Sequence, residues 1–299
     1  MTTHLTFIHA RSALHAGTGQ GVDLIDLPIA RERATNLPFL PGSSLKGALR
    51  DLVKEQSLRE AIFGPEKTNA DAFAGSVQFS DQRLLLLPIR SMAGTFAWVT
   101  CPFVLARLRR DARDAGVADT TLPALPVVDR QGDALVASGS KLIVGTQIVL
   151  EDLDLTPKID DITSTWAIWI GKQVFEADWQ TMLTARICIV HDDVFGFLAE
   201  TATEVSARIA LQADIKTVTG GALWYEEALP AESLLYGMVI AEFSTKAREK
   251  LNGIGETGAL QKLREQLAKP IQLGGKATTG KGICSVTLTG GHSTVQEGS

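Results

Sequence analysis

Residues 274–282 read GGKATTGKG, and the chain around this run restricts the architecture more than any other segment. From Gly275 to Lys281 the spacing is that of a nucleoside-triphosphate loop: glycine, four residues, glycine, lysine. That chemistry needs Ser or Thr next, to hold magnesium, and a helix behind it. Gly282 stands there instead, and Ile283-Cys284-Ser285-Val286-Thr287-Leu288 reads as a strand. Only a short tail follows, too little for a nucleotide-binding sheet. The run therefore joins two strands, IQLGG and ICSVTL. With few side chains in the way, its backbone amides can approach an anion closely. The same glycines could equally serve turn geometry alone.

The expected elements do not alternate in a parallel-sheet rhythm. His4 to His9 sets Leu5 and Phe7 against Thr6 and Ile8, the period of a half-buried strand. Residues 16–42 have too little period for a helix and too many Gly and Pro for a strand. A loop this long inside a compact domain is usually functional or mobile. In PGSSLKGALRDLVKEQ, Leu45, Ala48, Leu49, Leu52 and Val53 mark one helical face, with Ser43 or Ser44 as cap. Strands are expected around an irregular SMAGT at 76–100, then a basic helix in PFVLARLRRDARD and an exposed acidic connection at 151–161. WAIWI and ARICIV read as strands, 194–203 as a helix, and 205–226 as a hairpin turning at Gly220-Gly221. LLYGMVIAEF is a strand, and Leu260, Leu263 and Leu267 define a helix ended by Pro270. This order suits an α+β domain with an antiparallel sheet, of which the ferredoxin-like arrangement with large insertions is the leading candidate.

Apolar residues make up 45% of 299, enough for a sizeable core. No apolar run reaches bilayer-spanning length and no signal peptide is evident, so a cytoplasmic protein without a membrane partner is expected. Cys101, Cys188 and Cys284 are odd in number and far apart, which fits a reducing compartment and core-filling roles. A net charge of −5 weakens any nucleic-acid reading based on the whole chain. The cations are nevertheless clustered: Arg31, Arg33, Lys46, Arg50, Lys54 and Arg59 in one stretch, and Arg83, Arg90, Arg107, Arg109, Arg110 and Arg113 in another. Lys262, Lys269, Lys276 and Lys281 enrich the end, so a basic groove on an acidic body fits the composition.

The helix start at Ser43-Ser44-Leu45-Lys46 is the best anion site, because unpaired N–H groups and the positive dipole end point outward there. Asp23 and Asp26, near His15 in the long loop, are carboxylates able to hold a metal or position a nucleophile. GTGQG at 17–21 has the wrong spacing for a dinucleotide fingerprint. His191-Asp192-Asp193 lacks companion ligands and reads as a strand end leading into a helix. Trp166, Trp169 and Trp179 read as core rather than base-stacking platforms.

Four motifs in order carry a wider likeness: LHAGTGQGVDLIDLPIARERATNLPFLPGSSLKGALR, SMAGTFAWVTCP, GGALWYEEALP and IQLGGKATTGKG. The chain resembles, almost end to end, the backbone subunit of type III-B CRISPR effector complexes, the Cmr module, in the RAMP superfamily. The resemblance implies a modified RNA-recognition-motif (ferredoxin-like) core in one domain over 1–299, with an active-site loop at about 16–42 and a thumb hairpin at about 203–228. It implies several copies stacked along one guide crRNA, beside other Cmr-module subunits. Such a filament cuts the paired target RNA with a divalent metal, Mg2+ or Mn2+. Asp26 carries over as catalytic acid and metal ligand, with His15, Tyr225 and Glu227 as neighbours. Arg31, Ser43, Ser44, Lys46, Arg50, Gly274, Gly275, Lys276, Thr278, Thr279, Gly280 and Lys281 carry over as RNA contacts. Three other readings stay open: a structural guide-binding subunit with an inert Asp26, a related subunit of another type III module, and a nucleotide hydrolase.

Overall fold

A computed structural model of the chain describes residues 1–19, 25–65, 74–211, 218–251, 253–289 and 292–293. Asp23 lies outside them. In chain order, β1 (Thr2–Ala10) leads through the long loop to β2 (Phe39–Leu40), α1 (Gly42–Leu52) and α2 (Gln56–Phe63). β3 (Val77–Phe79), β4 (Gln82–Arg90) and β5 (Phe96–Thr100) precede α3 (Pro102–Asp114). Then come β6 (Asp133–Val136), β7 (Ile143–Val144), β8 (Gln147–Leu150), β9 (Leu153–Ile159), α4 (Asp161–Val174) and α5 (Ala177–Arg186). β10 (Ile187–Val190) and α6 (Asp192–Thr201) lead to the hairpin of β11 (Glu204–Leu211) and β12 (Val218–Ala228). β13 (Leu234–Ala241), α7 (Thr245–Lys250), α8 (Gly255–Gln266), β14 (Ile271–Gln272), β15 (Ile283–Leu288) and β16 (His292–Ser293) follow.

Within this list, β1, α1, β4, β13, α8 and β15 make a βαββαβ unit with antiparallel neighbours in the order β15-β1-β13-β4. That order is the ferredoxin-like arrangement expected from the sequence. β5, β10, β6, β9, β8 and β7 continue the sheet beyond β4, and β14 extends it beyond β15. β11 and β12 form a separate two-stranded sheet. A cluster of buried apolar side chains runs from Leu5 to Leu288 through both halves of the main sheet.

Several local expectations are corrected. β1 is buried continuously from His4 to Ala10, because both of its faces are covered. Phe7 and His9 pack against Trp169 and Phe175, while His4 on the other face reaches Thr289 and Arg264. WAIWI is helical: it belongs to α4, where Thr163, Trp166, Ala167, Ile170 and Gly171 are buried at helical spacing. The Asp160 side chain caps that helix by accepting the Thr163 N–H. In ARICIV the strand begins only at Ile187, since Ala185 and Arg186 end α5. The acidic stretch 151–161 is mostly strand β9, joined to β8 through a turn at Glu151-Asp152 where Glu151 has φ 49°. Gly220 and Gly221 lie inside β12, so the expected turn is not at these glycines.

The basic helix α3 is where the sequence predicts it, and its arginines are paired within the protein. Arg107 pairs with Glu32, Arg109 and Arg113 with Asp119, and Arg110 with Asp111. Asp111 is 1% exposed and also accepts from Arg83 at 2.7 Å, with the Tyr236 hydroxyl at 3.4 Å. Removing one partner of a buried ionic cluster strands the others. We therefore expect Asp111→Ala to lower the unfolding free energy by about 3 kcal/mol, measured by urea denaturation, and Asp111→Asn to lose less.

Candidate functional site

The long loop is stitched to the thumb by backbone pairing. Leu14 bridges Leu229, His15 bridges Gly275 and Gly17 bridges Ile29. On the return, Leu27 N–H donates to Tyr225 O at 3.1 Å and Glu227 N–H donates to Leu27 O at 3.0 Å. This adds a short parallel partner to the free edge of β12. Asp26 sits at its start, exposed, and one carboxylate oxygen accepts the Tyr225 N–H at 2.7 Å. No described residue bonds its other oxygen. Tyr225 shares one face of the hairpin with Val205, Ile209 and Leu223, and all four side chains are exposed.

Glu227 closes this stitching from below. It is 3% exposed, and its two oxygens take Arg31 at 2.5 Å, the Thr203 hydroxyl at 2.8 Å and the Ile29 N–H at 3.0 Å. Arg31 also donates to the carbonyls of Asn36 and Ala199. Arg31 is thus engaged with protein groups, and Glu227 anchors the loop that carries Asp26. His15 is buried, and its Nδ1 contacts Glu227 O at 2.6 Å. That contact requires a proton on Nδ1.

The glycine run is a rigid strand connection packed on the long loop. Gly274 has φ 70°, and a Cβ there would stand 2.4 Å from His15 O. Gly282 has φ 78° and lies still closer to Leu273 O. Both positions require glycine for geometry, whatever else the loop does. Gly275 N–H donates to His15 O, and a short 3-10 turn at Ala277–Thr279 leaves Thr278, Thr279 and Gly280 exposed. Lys276 pairs with Glu226 at 2.7 Å. Lys281 is buried, and its ammonium has no hydrogen-bond partner among the described residues.

Helix α1 faces this loop. A cleft of about 500 Å³ lies between them, lined by Ala16, Gly17, Ser44, Gln272, Gly274 and Gly275 among others. Neither Ser43 nor Ser44 caps α1: Pro41 is the N-cap, and the Gly42 N–H is taken by Asp81 at 2.9 Å. Both serines remain exposed in the first turn. Arg50 turns away to the carbonyls of Gly64 and Pro65, and Lys54 caps Asp51 O. Lys46, half-buried, pairs with no described residue. Of the expected basic stripe, Lys46 alone is left with an uncommitted charge.

Among the described residues no three His, Cys, Asp or Glu side chains gather as metal ligands. Asp26 offers an ion one oxygen that no described residue bonds, so an ion there would take its remaining ligands from RNA and water. The three cysteines are buried, and burial pushes the Cys188 thiol up to about 12, far from a reactive thiolate. His191 caps α6, as its sequence context predicted. Glu226 is the residue that sequence reasoning missed. It is 3% exposed and collects Lys276, Trp224 and Arg208 on the opposite face of β12 from Tyr225. Two adjacent acids in an alternating strand were its only sequence signal, since they must point to opposite faces.

Comparison with known proteins places this geometry in a family. The RAMP superfamily model matches residues 7–285. The chain is 33% identical to the CRISPR system Cmr endoribonuclease Cmr4 of Pyrococcus furiosus, covering 96% of each chain. It is 26% identical to the CMR subunit Cmr4 of Saccharolobus solfataricus, covering 93% of each. The crystal structure of oligomeric Cmr4 from Pyrococcus furiosus superposes with a TM-score of 0.76 at 28% identity, covering 97% of this chain and 98% of that one. A type III-B Cmr-beta complex bound to cognate target RNA contains a chain of the same fold, with a TM-score of 0.71 at 19% identity, covering 96% of each. A ferredoxin-like core, a stitched loop bearing one exposed acid, and a match over nearly its whole length together make this chain a member of the RAMP superfamily.

Proposed function

We propose that this chain is a backbone subunit of a type III-B CRISPR effector complex, which holds guide RNA in several stacked copies and cuts the paired target RNA. One observation carries the cleavage half: an exposed carboxylate, Asp26, is pinned to the Tyr225 N–H at the base of an exposed hairpin. The similarity to a Cmr endoribonuclease supports the same reading. In RNA-guided recognition, base pairing reads the sequence and the protein needs only backbone contacts and shape. The cleft between α1 and the glycine run suits that task. Ser44 and the close-approaching backbone of the glycine loop line it together with Asp51, while the exposed Ser43 and the uncommitted Lys46 stand elsewhere on the first turns of α1.

In this reading the hairpin unstacks one target nucleotide with its apolar face. The freed 2′-hydroxyl oxygen attacks the adjacent phosphorus, and the P–O5′ bond breaks. One product ends in a 2′,3′-cyclic phosphate and the other in a 5′-hydroxyl. Asp26 orients the attacking hydroxyl, while the hairpin sets the in-line geometry. The alternative, a structural subunit with an inert Asp26, does not explain why the loop is anchored by Glu227, Arg31 and a backbone ladder around this one acid. Divalent-ion dependence belongs to the proposal, but no step is routed through an ion.

In the assembled complex, Asp26→Ala should cut target at least about 100-fold more slowly with target binding retained. A 2′-deoxy nucleotide at the cut site should block cleavage equally. Undiminished cutting by Asp26→Ala would overturn the catalytic assignment. Lys46→Ala should weaken guide binding and reduce the slope of log affinity against log salt by about 0.7, read from filter binding across a salt series. Chelation with EDTA should stop cutting while guide and target stay bound, and full activity in EDTA would remove the ion from the reading.

A further inference from the structure

Glu226 joins the two halves of the proposed site. Its backbone bridges Leu27, the residue after Asp26, and the residue before it, Tyr225, donates the N–H that fixes the Asp26 carboxylate. Its side chain points the other way. There Oε1 accepts the Lys276 ammonium at 2.7 Å and the Trp224 Nε1–H at 2.8 Å, and Arg208 Nε stands 3.4 Å from Oε2. Lys276 opens the 3-10 turn of the glycine run, next to Gly275, which lines the cleft and hydrogen-bonds His15. A single residue thus links the loop beside the cleft to the strand that pins the acid.

Its surroundings favour a rigid link over an incidental surface pair. The Glu226 side chain is 4% exposed and that of Lys276 is 29% exposed. Surface pairs of long side chains are usually worth little, but a buried carboxylate stripped of its cation would be left uncompensated. Burial alone would push the Glu226 carboxyl up; the hydrogen bonds from Lys276 and Trp224 and the nearby Arg208 outweigh it and hold the group at about 2. The carboxylate therefore stays ionised at any neutral or mildly acidic assay pH. Oε2 has no hydrogen bond, so Lys276 and Trp224 provide the bonds that fix the carboxylate. Lys276, in turn, is committed to protein as well as lying in the run expected to meet RNA.

We propose that Glu226 is a positioning residue for target cleavage: its ion pair with Lys276 ties the guide-side loop to the strand that orients Asp26. This rests on the function proposed above. The Glu226 carboxylate acts through Asp26 and touches neither RNA strand. Its loss should therefore misplace the acid by a fraction of an ångström and leave both RNAs bound.

The test uses the complex assembled with its neighbouring subunits on guide RNA. Three quantities are read: guide content per complex, target affinity, and single-turnover cutting rate at saturating target. Glu226→Gln should lower the cutting rate about tenfold while guide content and target affinity stay within about twofold of the parent. Lys276→Met, which breaks the pair from its more exposed side, should lower the rate to a similar degree, and it serves if Glu226→Gln assembles poorly. The charge exchange Glu226→Lys with Lys276→Glu should restore at least half of the lost rate. A parental rate in both single variants overturns the inference. So does a fall in guide content with an unchanged rate per assembled complex, which would mark a purely structural pair, and so does a charge exchange without rescue. Asp26→Ala run in parallel separates the two levels. If it still cuts, the proposed function fails; if it is inactive while Glu226→Gln is fully active, only the positioning role fails.

Discussion

The arrangement depends on one short ladder: the segment around Asp26 and Leu27 laid along the edge of β12. A lone exposed carboxylate on a long loop has no fixed place, because ordering each loop residue costs about 1–2 kcal/mol of conformational entropy. Two backbone–backbone hydrogen bonds between Leu27 and β12, and the Tyr225 N–H held by the Asp26 carboxylate, meet part of that cost. Glu227 meets more, since it gathers Arg31, Thr203 and the Ile29 N–H in a nearly dry setting where charge-assisted bonds are strong. Arg31 then ties the loop to Ala199 at the end of α6. The acid is therefore held by two independent elements, the hairpin and the main body.

Electrostatics explains how an acidic protein can serve a polyanion. Five of the arginines that looked like a basic surface, Arg83, Arg107, Arg109, Arg110 and Arg113, pair at home with only three carboxylates, Glu32, Asp111 and Asp119. These pairs tie α3 to its neighbours, and the positive excess they leave lies on that part of the body. The cleft itself is sparsely charged: Ser44, Asp51 and glycine backbone line it, and the uncommitted Lys46 lies elsewhere on α1. Sparse contacts suffice when several copies share one strand, because each need hold only a few phosphates.

The hairpin shows a different economy. It stands outside the main sheet, and its Val205, Ile209, Leu223 and Tyr225 face is exposed. An isolated two-stranded hairpin is marginal by itself. Here its base is fixed by the Asp26–Leu27 ladder, Glu226 and Glu227, so the rigid end lies at the acid and the exposed apolar face projects beyond it.

Much of this was legible in the residues themselves. The amphipathic pattern of α1, the basic run of α3 and the glycine run between two strands each specify a local geometry, and their order specifies the ferredoxin-like core. Local signals misled where burial overrode them. WAIWI carries strand-like residue types, yet it is helical because Asp160 caps it and its small and aromatic residues bury one helical face. Gly220-Gly221 resembles a turn but continues a strand, because cross-strand register decides where a hairpin reverses. The resemblance of the four motifs pointed to Asp26, Lys46 and the glycine run as candidates, and the structure sets Asp26 against the base of the hairpin and the glycine run across a cleft from α1. The tertiary structure alone decided which charges are spent inside the protein and which stay free. Arg31, Arg50 and Lys276 read in sequence like Lys46, but partners 14 to 196 residues away in the chain claim them. Pairing across such separations depends on how strands and loops stack in space, which no local pattern of residues encodes.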